Sequence, residues 1–425
     1  MSSEGDISME KKHAEIVIVG AGIGGVRAAQ ELAGKKGVHV TLIDRNNYQL
    51  FPPLLYQVST ATLATGEIAY PVRDFFRHAD NVDFRLGDVT GFDTEKKIVQ
   101  TNHGDVAYDE LVIATGSTTN FFGNANVAKH AFPMKTMQEA LAIRNQLISC
   151  LELADQEQDP ARRKELLTFV CVGGGPTGVE EAGAISELIY KSMRSGYHHL
   201  DFSEVDIKLL EGSPRLLAMM PERLSAETAD LLRKKKVDVR LETMVTDYDG
   251  HTLTLKGGET IQTATVIWAA GVKASPVTAA LGADYDRGGR IIVNKDLTVK
   301  GLPHVYAIGD SASFTEQPGA RPLATVAPVA MKQGITCAQN ILSRLAGRDA
   351  EIFHYKDMGA MATIGRSSAV LSVGKIQAKG FLAWSAWLWV HLIRLAGTYA
   401  NVSVALKWVL NYFNNARLGR IIVEH

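Results

Sequence analysis

Residues 12–44 read KHAEIVIVGAGIGGVRAAQELAGKKGVHVTLID. An apolar run, Glu15–Val19, leads into Gly20, Gly22 and Gly25, and a helical stretch and a second apolar run ending on Asp44 follow. In this spacing Gly20 permits a tight turn, Gly22 lets the backbone approach a pyrophosphate, and Gly25 lets the helix pack close to the sheet. The helix N-terminus then offers unpaired N–H groups to phosphate oxygens. Asp44, nineteen residues beyond Gly25, is placed to accept hydrogen bonds from a ribose, with Arg45 beside it as a further cofactor-binding candidate. The stretch predicts strand, turn, helix and strand: the opening of a dinucleotide-binding domain.

The pattern recurs at 167–183, LTFVCVGGGPTGVEEAG. Gly173, Gly175 and Gly178 take the three glycine positions, and Pro176 suits a first helical turn, where an N–H is dispensable. The strand Val205–Leu210 ends at Glu211, 33 residues past Gly178, and SGYHHLDFSEVD accounts for the extra length. An acid there favours a free 2′-hydroxyl, hence NADH over NADPH, although Arg215 leaves some use of NADPH open. One dinucleotide cannot fill two turns. The simplest reading is a resident flavin and a transient nicotinamide cofactor.

Other strand ends point into the same crevices. Leu111–Ala114 runs into Thr115 and Gly116, TATVIWAAGV ends on Ala270 and Gly271, and Val305–Ile308 ends on Gly309 and Asp310. An acid at the carboxyl end of a parallel strand lies over the ligand crevice, so Asp310 is a candidate for the flavin's polyol chain, or else a cap for the next turn. A helix from Ala327-Pro328 to Leu345 would aim its positive end at a reduced flavin's negative edge. The loop LFPPLLYQV at 50–58 offers Phe51, Pro52 and Leu54 either to a flat ring or to ordinary core.

At 425 residues the chain should form two or three domains. Its net charge of -1, with no long basic tract, gives no reason to expect nucleic acid. The three cysteines, Cys150, Cys171 and Cys337, form no closely spaced pair, which fits a reducing compartment and no disulfide framework. No metal is expected. The N-terminus lacks a secretory signal, and no apolar run reaches the roughly 18 residues of a membrane span.

Together these segments resemble type II NADH dehydrogenases, the single-subunit, non-proton-pumping NADH:quinone oxidoreductases. The likeness rests on GAGIGG at 20–25, LFPPLLYQV at 50–58, IATGS at 113–117, GGGPTGVE at 173–180, WAAG at 268–271, YAIGD at 306–310, APVAMKQG at 327–334 and GFLAWSAWLWVHL at 380–392. The resemblance implies an α/β fold of two Rossmann-like dinucleotide-binding domains with a C-terminal membrane-associating region. It implies non-covalent FAD held by Gly20, Gly22, Gly25, Asp44 and Asp310, and NADH held by Gly173, Gly175, Gly178 and Glu211. Hydride would pass from NADH to the flavin N5, and the electrons on to a membrane ubiquinone or menaquinone. Glu180 matches a glutamate near the nicotinamide, and Lys332 and Lys379 are candidates for the quinone end. Where family members often show Ala-Gln-x-Ala, this chain has Ala327-Pro328-Val329-Ala330, and a proline donates no hydrogen bond to a quinone.

The expected organisation is 12–116 as the first part of the FAD-binding domain, 117–270 for NADH with a core at about 165–265, 271–347 returning to FAD, and 348–425 as a C-terminal domain. Phe381–Ile393 and Val402–Phe413 carry four of the five tryptophans and read as amphipathic surface anchors. The expectation is a peripheral protein on the cytoplasmic face of the inner membrane, with this end on the bilayer surface, in a homodimer interface, or both. A soluble FAD-dependent reductase with another acceptor, a sulfide:quinone-type reductase and a non-catalytic flavin-binding protein stay open as alternatives.

Overall fold

The computed structural model describes residues 13–317, 319–414, 417 and 419–423. These form two compact units: one takes the chain to 49 with 71–118 and 273–356, the other 50–70, 119–272 and 357 onwards. The loop at 50–70 and the C-terminal chain thus belong with the second glycine motif. This division differs from the expected one, which keeps 12–116 in one piece and sets 348–425 apart.

The first unit is built on a six-stranded sheet. Its order is Thr298–Val299, Leu302–Ala307, Glu110–Ile113, Ala14–Val19, Val38–Asp44, Val82–Leu86, parallel except at the first pair. Ile18 lies between Leu42 and Val112 in register. Successive side chains alternate faces, so Ile16 and Ile18 enter one core while Val17 and Val19 enter the other. A parallel sheet covered on both faces needs such unbroken apolar strands. Helix Ile23–Leu32 crosses helix Ala327–Leu345 closely: a Cβ on Gly334 would stand 2.5 Å from the Gly24 carbonyl oxygen.

The second unit repeats the plan with five parallel strands, ordered Phe132–Pro133, Thr265–Trp268, Thr168–Val172, Asp206–Leu210, Val237–Arg240. Helix Pro176–Glu187 leaves the glycine turn and widens into a π-helical segment, Leu188–Met193. Helix Met137–Gln156 opens with a capping box: Glu139 N–H donates to Thr136 at 3.2 Å and Thr136 N–H to Glu139 at 2.8 Å. The same unit holds an antiparallel sheet, Ala360–Thr363, Ala369–Val373 and Ile376–Lys379, and the last two helices, Phe381–Arg394 and Thr398–Asn414. Among the described residues no helix is long and apolar enough to cross a membrane.

Candidate active site

The first glycine turn has the shape of a phosphate cradle. Gly20 has φ +107°, and a Cβ on Gly25 would meet the Gly20 carbonyl oxygen at 1.8 Å, so helix and turn tolerate no side chain there. A Cβ on Gly22 would meet nothing within 4 Å, which leaves open space at the unpaired helix N-terminus. Asp44 closes the turn: one carboxylate oxygen accepts from Ala21 N–H at 2.7 Å and the other from Asn46 N–H at 2.7 Å. Burial raises the Asp44 carboxyl above its ordinary value, and those two N–H groups oppose the rise. Arg45 is exposed and 3.4 Å from Asp88. These residues fit a dinucleotide: an open cradle, free N–H groups and a partly satisfied acid.

The neighbouring strand ends are pinned together within the same unit. Gly116 N–H donates to Ser311 at 2.9 Å, Thr115 lies 3.1 Å from the same hydroxyl, and Ser117 donates to Asp310 at 2.5 Å. Gly309 N–H donates to Gln333, buried on the long helix, at 2.7 Å. That helix begins at Ala327 with Pro328 in its first turn, where a missing N–H breaks no helical bond.

In the second unit the cradle recurs. Gly173 has φ +114°, a Cβ on Gly178 would stand 1.9 Å from the Gly173 carbonyl oxygen, and one on Gly175 would enter open space. Glu211 receives Gly174 N–H at 2.5 Å and Ser213 N–H at 2.7 Å. Arg215 is spent on the carbonyls of Met220 and Ala218. Gly271, φ +148°, accepts from Asn120 N–H at 3.0 Å, with Ala270 half-buried before it.

The helix leaving this turn carries two adjacent buried acids. Burial pushes Glu180 up to about 8, against the Thr363 N–H that donates to it at 3.2 Å and the nearby Trp387 indole, whose own N–H has no strict hydrogen-bond partner. Burial also pushes Glu181 up to about 8, against the Ser59 hydroxyl at 2.8 Å and the charge of Arg417. About two turns on, Glu187 goes the other way: burial would raise it, but Lys235 at 2.7 Å and Lys191 at 3.2 Å, with Arg417, hold it down to about 2. Arg417 is buried and bonds the Thr60 carbonyl at 2.7 Å.

A cavity of about 90 Å³ is lined by Glu187 and Arg417 of these groups, with Tyr56, Trp384, Trp387 and Trp408 in its aromatic wall and Thr363 and Arg366 in its polar one. Trp408 N–H donates to Gln57 at 2.7 Å and Gln57 donates to Tyr56 at 2.8 Å, fixing the aromatic side. His391 stacks on Trp387 at 4.0 Å, and burial keeps it neutral, down to about 4. Phe51 meets His391 edge-on, and Leu54 is core.

The two lysines are elsewhere. Lys379, on the strand Ile376–Lys379, is exposed and paired with Glu227 at 2.8 Å, and it does not line the cavity. Lys332 is exposed on the first unit's long helix. Reading the sequence also missed Glu181, Tyr56, Gln57 and Arg417. The doubled acid in the otherwise small and apolar run VEEAGA was the available signal for Glu181. Arg417 gave none.

The profile of the pyridine nucleotide-disulphide oxidoreductases matches residues 14–334. The chain is 37% identical over 417 residues to the type II NADH:quinone oxidoreductase Ndh of Mycobacterium tuberculosis, covering 95% of this chain and 89% of that protein. In fold it is similar to NDH2 from Plasmodium falciparum in complex with NADH, with a TM-score of 0.88 at 20% identity over 97% of this chain and 100% of that one. It is less similar to the sulfide:quinone oxidoreductase of Aquifex aeolicus, at 0.71 and 17% identity over 95% and 96% of the two chains.

Proposed function

This chain belongs to the type II NADH:quinone oxidoreductase family, and from that premise we propose how its residues divide the reaction. It is an FAD-dependent enzyme that oxidises NADH and reduces a quinone. Bound FAD supplies the two-electron chemistry, and the protein supplies binding, orientation and proton control. Gly20, Gly22, Gly25, Asp44, Arg45, Thr115, Gly116, Gly309, Asp310 and the helix start at Ala327 serve FAD. Gly173, Gly175, Gly178, Glu211, Ala270 and Gly271 serve NADH.

Reducing a quinone with NADH consumes one proton from the medium. Glu180 holds that proton at neutral pH and relays it towards the quinone, which enters the aromatic cavity. The observation that carries this assignment is a buried acid that accepts from Thr363, a residue of that cavity's wall, on the helix that opens at the second glycine turn. In Glu180→Gln, NADH should still bleach the flavin's visible absorbance. Its return with a short-chain quinone should slow by about 100-fold, the usual scale for losing a positioned acid. Wild-type turnover in that variant would sink the relay.

The last two helices present an apolar stripe. Leu382, Trp389 and Ile393 on one, and Tyr399, Val402, Leu406 and Phe413 on the other, are all more than half exposed. Interfacial helices of this kind lie on a bilayer without spanning it, and a membrane surface delivers a lipid-soluble quinone to the cavity. NADH and three free cysteines both belong to a reducing compartment, which favours the cytoplasmic face of the inner membrane. A homodimer sharing part of this stripe completes the reading, and the mass of the detergent-solubilised protein tests it.

A further inference from the structure

At the N-terminal edge of the first unit's sheet, opposite the strand ends that carry the glycine turn, three parallel strands bring imidazoles and carboxylates into a row. Register places Glu15 beside His39, and Asp83 beside Thr41, two residues along from His39. His13 stands just ahead of the first strand, two positions before Glu15. The Nε2 of His13 lies 2.9 Å from Glu15 Oε1, and the Nδ1 of His39 lies 2.9 Å from Glu15 Oε2. The other nitrogen of His39, Nε2, lies 3.2 Å from Asp83 Oδ2. One ligand atom from each of His13, Glu15 and His39 falls within 4.8 Å of the others.

Three ligand atoms converge here as a cation's donors do, and when His39 is neutral the arrangement suits one; a protonated ring would instead donate to both carboxylates. A neutral imidazole carries a single N–H, so uncharged His39 cannot donate to both of its carboxylates. With that proton on Nε2, towards Asp83, the Nδ1 lone pair and a Glu15 oxygen face each other at hydrogen-bond distance. A metal ion between them turns the repulsion into coordination. Asp83 then plays the outer part of a carboxylate–histidine–metal arrangement, fixing the tautomer that leaves Nδ1 free to bind.

We propose that His13, Glu15 and His39 form a binding site for a divalent transition-metal ion of the Zn²⁺ class, with Asp83 orienting His39. Two imidazoles and one carboxylate, with water completing four-fold coordination, suit Zn²⁺. Mg²⁺ and Ca²⁺ want an all-oxygen shell. Neither ligand spacing nor composition advertises the site, because 24 residues separate Glu15 from His39 and only the strand register joins them. Five residues of extended strand, roughly 16 Å, separate Glu15 from the Gly20 turn. The ion therefore clasps the first two strands together and takes no part in electron transfer.

The test uses the FAD-loaded protein, freed of metal by a chelator and titrated with Zn²⁺ in a calorimeter. One ion should bind per chain, and His39→Ala and Glu15→Gln should abolish it. Asp83→Asn should weaken it roughly tenfold or more, as the loss of an outer carboxylate does. Because His13 is the most exposed ligand, His13→Gln keeps the question answerable if a strand variant fails to fold. Zn²⁺ should raise the melting temperature of the wild type but not of His13→Gln, and should leave NADH:quinone turnover unchanged. The absence of stoichiometric binding, or equal binding by wild type and His13→Gln, overturns the proposal.

Discussion

Gly22 and Gly25 stand three residues apart in one turn, yet their substitution should fail for different reasons. A methyl group on Gly25 would stand 1.8 Å from the Gly20 carbonyl oxygen, whereas one on Gly22 meets only the space left for a pyrophosphate. Gly22→Ala should therefore fold with a normal far-ultraviolet circular dichroism spectrum and emerge from purification with most of its FAD missing. Gly25→Ala should fail to accumulate as folded protein at all. If Gly22→Ala retains full flavin, the cradle is not where the cofactor binds. Nucleotide choice rests on single residues too. Glu211 is oriented by two backbone N–H groups, and Arg215 is bound to two carbonyls instead of facing a 2′-phosphate. Turnover with NADH should exceed that with NADPH by at least about tenfold, a difference of about 1.4 kcal/mol. Comparing kcat/KM for the two cofactors checks this.

The C-terminal helices look detachable in the sequence and are not. Lys407 reaches Glu67 at 2.9 Å, Trp408 holds Gln57, and Arg417 holds Thr60, so this chain forms one wall of the second unit's core. Deleting everything past Gly380 should therefore unfold the second unit. Substituting Leu382, Trp389, Ile393, Val402 and Leu406 by serine touches only exposed positions. That variant should keep its flavin absorbance and its NADH bleaching but lose co-sedimentation with lipid vesicles. Unchanged sedimentation would reject the bilayer contact. Some element boundaries were legible: a helix predicted from Ala327 to Leu345 runs over those residues and the strand ending on Asp44 ends there, whereas the strand expected from Val305 begins at Leu302 and the helix expected from Val402 begins at Thr398. Helix starts and strand ends depend on nearby residues, through caps and alternation. What Gln57 or Arg417 touches depends on chain hundreds of positions away, and no local pattern encodes it.

Across the whole molecule, two repeated glycine turns made the dinucleotide plan readable, while the buried charges that tune it emerged only from packing. Those charges make stability depend on pH with a calculable sign. Glu180 and Glu181 keep their protons up to about 8 in the folded chain, whereas an unfolded carboxyl releases its proton near 4.5. Between these limits the native state binds more protons, so both groups lower stability as pH rises, each by at most about 1.4 kcal/mol per pH unit. Burial holds His391 neutral down to about 4, against 6.5 when unfolded, so this ring raises stability with pH across that window and cancels part of the fall. Glu187, held down to about 2, contributes stability that is fully present above 4.5 and is lost as the pH drops towards 2. The sum is a gentle decline above pH 4.5 that steepens between 6.5 and 8, once His391 no longer opposes it. In Glu180→Gln/Glu181→Gln the neutral amides titrate nowhere in this range, so the steep limb should flatten. Melting temperatures of the FAD-loaded wild type and double variant, measured from pH 5 to pH 8.5, should converge at the acid end and separate in the variant's favour at the alkaline end. Parallel curves would show that the two carboxyls ionise normally inside the fold, and that neither stores the proton that quinone reduction needs.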